Sequence, residues 1–168
     1  EPRMKFSLPY GQGHLQLELP PPWQADWIAP APVAAAHDPA GAVIAALAAP
    51  VGGVRLEDLR GARSAAIAIN DKTRPVPHDL LLPPLLARLE ALGLPPAAIT
   101  LLIATGAHAP LAAEEFKRVL PAAIMARYPV RSHDCDDEAN LCYLGQTQRG
   151  TPVWMNRHFV EAELRLVV

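Results

Sequence analysis

Apolar residues follow two different rhythms along this chain. Near the amino terminus, MKFSLPYGQGHLQLEL alternates apolar and polar positions around Gly11 and Gly13. That period of two predicts a β-hairpin with a glycine-rich turn. The pattern GxGxxG is not completed and no helical period follows, so these glycines read as turn residues rather than a phosphate loop. LPPPWQADWIAPAPV then predicts an extended crossing segment, because proline lacks an N–H and favours polyproline geometry. DPAGAVIAALAAP predicts a helix, with Asp38 as cap, Pro39 in the first turn and Pro50 as stop.

The second rhythm begins at SAAIAIN, a short apolar run of the kind buried on both faces of a sheet. HDLLLPPLLARLEALG reads as helical after its prolines, with Gly93 as the stop. AITLLIATG is a second buried strand, LAAEEFKRVLP and AAIMARY are helical, and VRSHDCDD is a third strand with a polar end. Strand, helix, strand, helix, strand is a βαβαβ unit, so the fold class is α/β with a Rossmann-like parallel sheet. The remainder, LCYLGQTQRGTPVWMNRHFVEAELRLVV, predicts a hairpin around Arg149-Gly150, a short helix or turn, and a last strand. The expected organisation is one α/β domain over 1–168: hairpin 1–20, proline-rich segment 21–37, α/β core 38–168. ELRLVV closes the sequence without a turn, cap or polar tail, which suggests the amino-terminal part of a longer two-domain protein.

Composition narrows the class. A chain of 168 residues that is 51% hydrophobic and 19% charged is globular and long enough to bury a real core. A net charge of −2 provides no basic field for nucleic acid. The longest apolar stretch, AGAVIAALAAPVGGV, is too short for a bilayer and is broken by Pro50 and two glycines. Two cysteines without a framework, and an amino terminus without the apolar run of a signal peptide, make the cytoplasm the expected compartment.

Candidate chemistry lies where two strands end. In open α/β sheets, ligands bind beyond the carboxyl ends of the strands. NDKTRPVP (70–77) ends one strand and TGAHAP (105–110) ends the next. Arg74 offers a planar fork for a carboxylate or phosphate, and Asp71 can hold that fork in place or bind a hydroxyl. Thr73 and Thr105 carry hydroxyls that can donate, and Gly106 permits close approach of a ligand to the backbone. His108 carries an imidazole, the side-chain type suited to proton transfer near neutral pH, and is the candidate base. HDCDDEANLC contains metal-ligand types, but strand alternation separates His133 and Cys135 from Asp134, and the spacing matches no structural zinc site. No metal ligand is therefore assigned. His14, His37, His78 and His158 have no evident partners, and the three serines form no GxSxG. On these residues alone, a non-catalytic module that binds an anion or nucleotide is the alternative to an enzyme.

LPYGQG, NDKTRPVP, LLPPLLARLEALG, IATGAHAP, HDCDDEANLCYLGQTQRGTPVWMNR and VEAELRLVV resemble, in this order, the N-terminal domain of the lactate racemase family. The TRP and ATGxHxP segments are the specific parts, and YLG…RGTP supports them. The resemblance implies an isomerase, a racemase or epimerase acting at C2 of a 2-hydroxy acid. The family's cofactor is a nickel-pincer nucleotide that accepts a hydride from C2, while two histidines exchange the hydroxyl proton. Carried onto this sequence, the ATGxHxP histidine is His108 and the TRP arginine, for the substrate carboxylate, is Arg74. Asp71, Thr73, Thr105 and Gly106 would face the cofactor or substrate. Lys72 stands where DHTRP is common in the family. The side chain next along an extended segment can point away, so that change should be tolerated, though it would bear on substrate choice. The second catalytic histidine, the lysine that tethers the cofactor and the nickel-ligand histidine belong to segments beyond these residues. The chain should then hold half a site, be inactive alone, and need the rest of its parent as partner.

Overall fold

The computed structural model describes residues 4–168. It divides into two compact units, residues up to Ala35 and Ala36–Val168. In the first unit, β1 (Met4–Tyr10) and β2 (Gly13–Leu19) form the expected antiparallel hairpin. The register sets Met4 against Leu19, Phe6 against Leu17 and Leu8 against Leu15, so one face is apolar. Lys5 and Glu18 pair across the ladder at 2.9 Å on the other face. Trp27, in the proline-rich segment, stacks on Phe6 with ring centroids 6.1 Å apart.

The second unit is built on a four-stranded parallel sheet of order β5-β4-β3-β8. Its strands are β3 (Ala65–Asn70), β4 (Ile99–Ala104), β5 (Val130–Ser132) and β8 (Leu164–Val167). An antiparallel hairpin, β6 (Leu141–Gln146) with β7 (Pro152–Asn156), stands apart from the sheet and leads into a short helix, α4 (Arg157–Val160). α1 (Pro39–Ala48) starts as predicted, with the Asp38 carboxylate accepting from the Gly41 N–H at 2.9 Å.

One face of the sheet builds the core. Ile67, Ile69, Leu101, Ile103 and Leu164 pack with Leu82, Leu85, Leu86 and Leu89. The latter four lie on α2 (His78–Ala91), and their i, i+3, i+4, i+7 spacing makes one apolar stripe. α2 begins at His78, ahead of Pro83 and Pro84, not after them as the sequence suggested. Both prolines stand outside the stripe, so carbonyls left without an N–H partner can turn to water while the leucines are buried. His78, buried at the first helical position, donates from Nδ1 to the Val119 carbonyl at 3.1 Å. Residues Ala113–Arg118 form a 3-10 helix rather than an α-helix. It spans between Leu111 and Leu120, both buried, and the narrower, more tightly wound coil covers more distance per residue. α3 (Ala122–Arg127) is tied to α2 through Glu90, which accepts from the Tyr128 hydroxyl and from Arg127. Burial and Glu90 hold the Tyr128 phenol above its usual pKa.

The opposite face carries small residues. Ala68, Leu102 and Ala104 floor an apolar hollow of about 320 Å³, walled by Trp154, Met155 and Phe159. Among the described residues, no helix is long and apolar enough to cross a membrane.

Leu86 is 2% exposed at the centre of the core, whereas Leu144 on the β6–β7 hairpin is 52% exposed. Leu86→Ala is expected to lower unfolding free energy in urea by about 2–5 kcal/mol, and Leu144→Ala by under about 0.5 kcal/mol.

Candidate active site

β3 and β4 are parallel, and their register places Asn70 beside Ala104. The two predicted loops therefore leave the sheet side by side at its carboxyl edge. The β3 loop turns at once, with the Arg74 N–H donating to the Asp71 carbonyl at 3.2 Å. The β4 loop turns at Thr105–His108, closed by the His108 N–H on the Thr105 carbonyl at 3.1 Å. Gly106 holds φ +62° there, and a Cβ at that position would meet nothing within 4 Å. Glycine is thus selected by the backbone turn, and the space above it is open.

Between these turns lies a cleft of about 350 Å³, walled by Asn70, Asp71, Arg74 and residues 104–108. Its central contact joins the two loops: His108 Nδ1 lies 2.8 Å from Asp71 Oδ2. Asp71 Oδ1 accepts from the Thr73 N–H at 3.0 Å and the Thr73 hydroxyl at 2.6 Å. The Thr73 hydroxyl, reinforced by His108, lowers the pKa of Asp71 to about 2. A carboxylate ionised at neutral pH can only accept, so His108 Nδ1 must carry the proton of the bond. The lone pair of neutral His108 then sits on Nε2. The His108 side chain is 59% exposed while that of Asp71 is 5% exposed, so a buried anion orients an accessible base.

Arg74 completes the cleft. Its guanidinium has no ion pair or hydrogen bond among the described residues, which leaves the planar fork available to a bound anion. Of the two roles the sequence offers Asp71, it does not steady Arg74; it accepts from the Thr73 hydroxyl and pairs with His108. Thr73 is exposed and holds Asp71, but it is not among the residues that wall the cleft. Thr105 lines the cleft but is 3% exposed, and its hydroxyl donates to the His133 carbonyl at 2.7 Å. Both threonine protons are therefore engaged inside the protein. Lys72 points away from the cleft to Glu115, with Nζ to Oε1 at 2.7 Å. Lys72 and the Ala112 N–H hold Glu115 below the usual carboxylate pKa.

Asp134, Cys135 and Asp136 bring ligand-type atoms within 4.8 Å of one another, partly exposed. His133 stands apart from them, with Nδ1 3.2 Å from the Asn156 side-chain nitrogen. Ser132 and buried Asn156, which the sequence reading passed over, both touch the supports of the β4 loop. Nothing in local spacing could reveal them, because their partners lie about twenty residues away along the chain.

An α/β domain on a parallel four-stranded sheet, with an arginine–histidine–aspartate cleft at the carboxyl edge of that sheet, is the class that fold and site define. Residues 10–168 match the family described as the lactate racemase N-terminal domain, and the chain belongs to that family. It is 34% identical over 116 residues to the lactate racemase of Lactiplantibacillus plantarum, covering 68% of this chain and 27% of that protein. It is 32% identical over 120 residues to the lactate racemase of Thermoanaerobacterium thermosaccharolyticum, covering 71% of this chain and 28% of that one. The solved lactate racemase apoprotein from T. thermosaccharolyticum superposes on 98% of this chain, and on 38% of its own, with a TM-score of 0.80 at 28% identity. The chain thus spans little more than a quarter of the length of the curated relatives it matches.

The Asp71 carboxylate links the site to stability. Its folded pKa of about 2 lies below the value of about 3.9 for an unfolded aspartate. Ionised Asp71 therefore stabilises the fold above about pH 4, and the contribution fades as pH falls through the folded value. The stability difference between wild type and Asp71→Asn, followed by urea unfolding from pH 6 downward to about 2, should shrink toward acid. An equal difference at every pH would contradict this assignment.

Proposed function

We propose that this chain is the amino-terminal part of a longer 2-hydroxyacid racemase or epimerase, in which it holds the carboxylate and the hydroxyl of the substrate. The observation that carries the reading is His108, oriented by ionised Asp71 and facing an unpaired Arg74 across one cleft. Arg74 binds the carboxylate through its fork and so fixes C1. The hydroxyl on C2 then falls to His108 Nε2, which accepts its proton as C2 is oxidised to the keto level. When the 2-oxo acid is reduced again, a proton returns to oxygen, and hydride delivery to either face decides the enantiomer. Asp71 stabilises the imidazolium formed meanwhile.

The family implies a nickel-pincer nucleotide, which when bound supplies the hydride acceptor for C2. The open space above Gly106 and the ionised carboxylate of Asp71 would suit a cationic group bound at this edge. Asp71, Gly106 and, through its oxygen as acceptor, Thr105 would face it, while Thr73 would act through Asp71. His108 Nε2 is taken as the acceptor of the hydroxyl proton, and the family resemblance puts the nickel-ligand histidine in a segment beyond these residues, so we assign no nickel ligand to this chain. Tether and metal ligands belong to the remainder of the parent, and the 168 residues alone are expected to be inactive. Lys72, turned to Glu115, leaves substrate choice to other groups.

In the full-length protein, Arg74→Ala is expected to raise KM for the hydroxy acid about ten- to hundredfold, the loss of a hydrogen bond to a charged group. Substrate carrying deuterium at C2 should be inverted with the label retained. Exchange of that label with solvent would replace hydride transfer by proton abstraction at carbon.

A further inference from the structure

The loop that carries His108 is held at both ends by the end of β5. At its start, the Thr105 hydroxyl donates to the His133 carbonyl at 2.7 Å, and the His133 N–H donates to the Ile103 carbonyl at 2.9 Å. Past its far end, the Leu111 N–H donates to the Ser132 hydroxyl oxygen at 2.9 Å. Thr105 and Leu111 are 3% and 5% exposed, so both anchors are shielded from competing water. Between them the chain has only the Thr105–His108 turn for support, and the His108 ring is more than half exposed. Among the described residues, its one hydrogen-bond partner is Asp71.

The brace itself is fixed from a third direction. Asn156, 8% exposed, caps α4 by accepting from the His158 N–H at 3.0 Å. Its side-chain N–H₂ lies 3.2 Å from His133 Nδ1. An amide nitrogen can only donate, so His133 Nδ1 accepts and its ring proton sits on Nε2.

A hydrogen bond needs its donor and acceptor aligned within a few tenths of an ångström, and the His108 ring, more than half exposed, has little packing to set that alignment. The alignment must come from the path of the backbone, which the two anchors define. We propose that Thr105 and Ser132 are positioning residues: by fixing both ends of the 105–111 loop to β5, they set His108 Nδ1 on Asp71 and thereby place the proton of the neutral ring on Nδ1. This rests on the reading of His108 as the proton carrier, although the geometry it concerns exists without substrate. Thr105 gains a role beyond lining the cleft, and Ser132 one that its distance from the cleft conceals.

The test is made on the chain itself. ¹⁵N chemical shifts of the His108 ring, measured at alkaline pH where imidazole is neutral, report which nitrogen carries the proton. Wild type should show the Nδ1–H tautomer, and Asp71→Ala, which removes the partner, supplies the shifts of an unoriented ring. Thr105→Val keeps the shape and deletes the hydroxyl. It is expected to lower the ratio of Nδ1–H to Nε2–H about tenfold, as for the loss of one hydrogen bond to a charged group. Thr105→Ser should restore it. Ser132→Ala should move the ratio the same way, and it decides alone should Thr105→Val not fold. A purely structural role would lower the melting temperature and leave the tautomer unchanged. Folded Thr105→Val and Ser132→Ala with the wild-type ratio would overturn the proposal. Because no substrate is involved, this failure is distinct from a failure of the racemase reading.

Discussion

The site depends on the parallel register of β3 and β4. Asn70 beside Ala104 makes residues 71 and 105 leave the sheet together, and from there two short turns bring Asp71 and His108 into contact. A register slip by one residue would turn the apolar set Ile67, Ile69, Leu101 and Ile103 away from α2. The core therefore enforces the register, and the register enforces the aspartate–histidine bond. Burial that stabilises the fold and geometry that serves chemistry are here the same constraint, read at the middle and at the end of the same strands.

Electrostatics then does what packing cannot. Thr73 satisfies one Asp71 oxygen and His108 the other, so the carboxylate stays ionised although it is nearly buried. An ionised Asp71 leaves no choice about where the neutral His108 ring keeps its proton. Arg74, by contrast, is left without an internal partner. The cleft combines one group whose state is fixed by the protein with another held open for a ligand, the combination expected of a binding and proton-transfer site. Lys72, between them in sequence, is removed from the cleft by Glu115.

Much of this was legible in the residues. Period-two alternation gave the β1–β2 hairpin, and short apolar runs gave β3 and β4 with their polar ends. Those ends named Asp71, Arg74 and His108, because ligands gather at the carboxyl edge of parallel strands. Errors arose where tertiary contacts override local rules. α2 runs through Pro83 and Pro84 because its leucine stripe is buried. The 113–118 segment stretches into a 3-10 helix between two buried leucines. Of the two roles open to Asp71, holding Arg74 fails: the carboxylate takes the Thr73 hydroxyl and His108, a partner 37 residues away that local sequence does not reveal. Thr105, Ser132 and Asn156 make their contacts across β4, β5 and β7, and no local pattern announces such pairs.

The central claim is that His108 moves the hydroxyl proton of a bound 2-hydroxy acid. Its most direct test is stereochemical inversion by the full-length protein, assembled with its cofactor, over a panel of enantiopure D- and L-2-hydroxy acids, wild type beside His108→Ala. The account predicts inversion of at least one acid by wild type and a fall in kcat of about 10²–10⁴ in the variant, with a smaller change in KM. Unchanged kcat in His108→Ala, or no inversion of any acid by the loaded protein, would contradict it and leave an anion-binding module in its place.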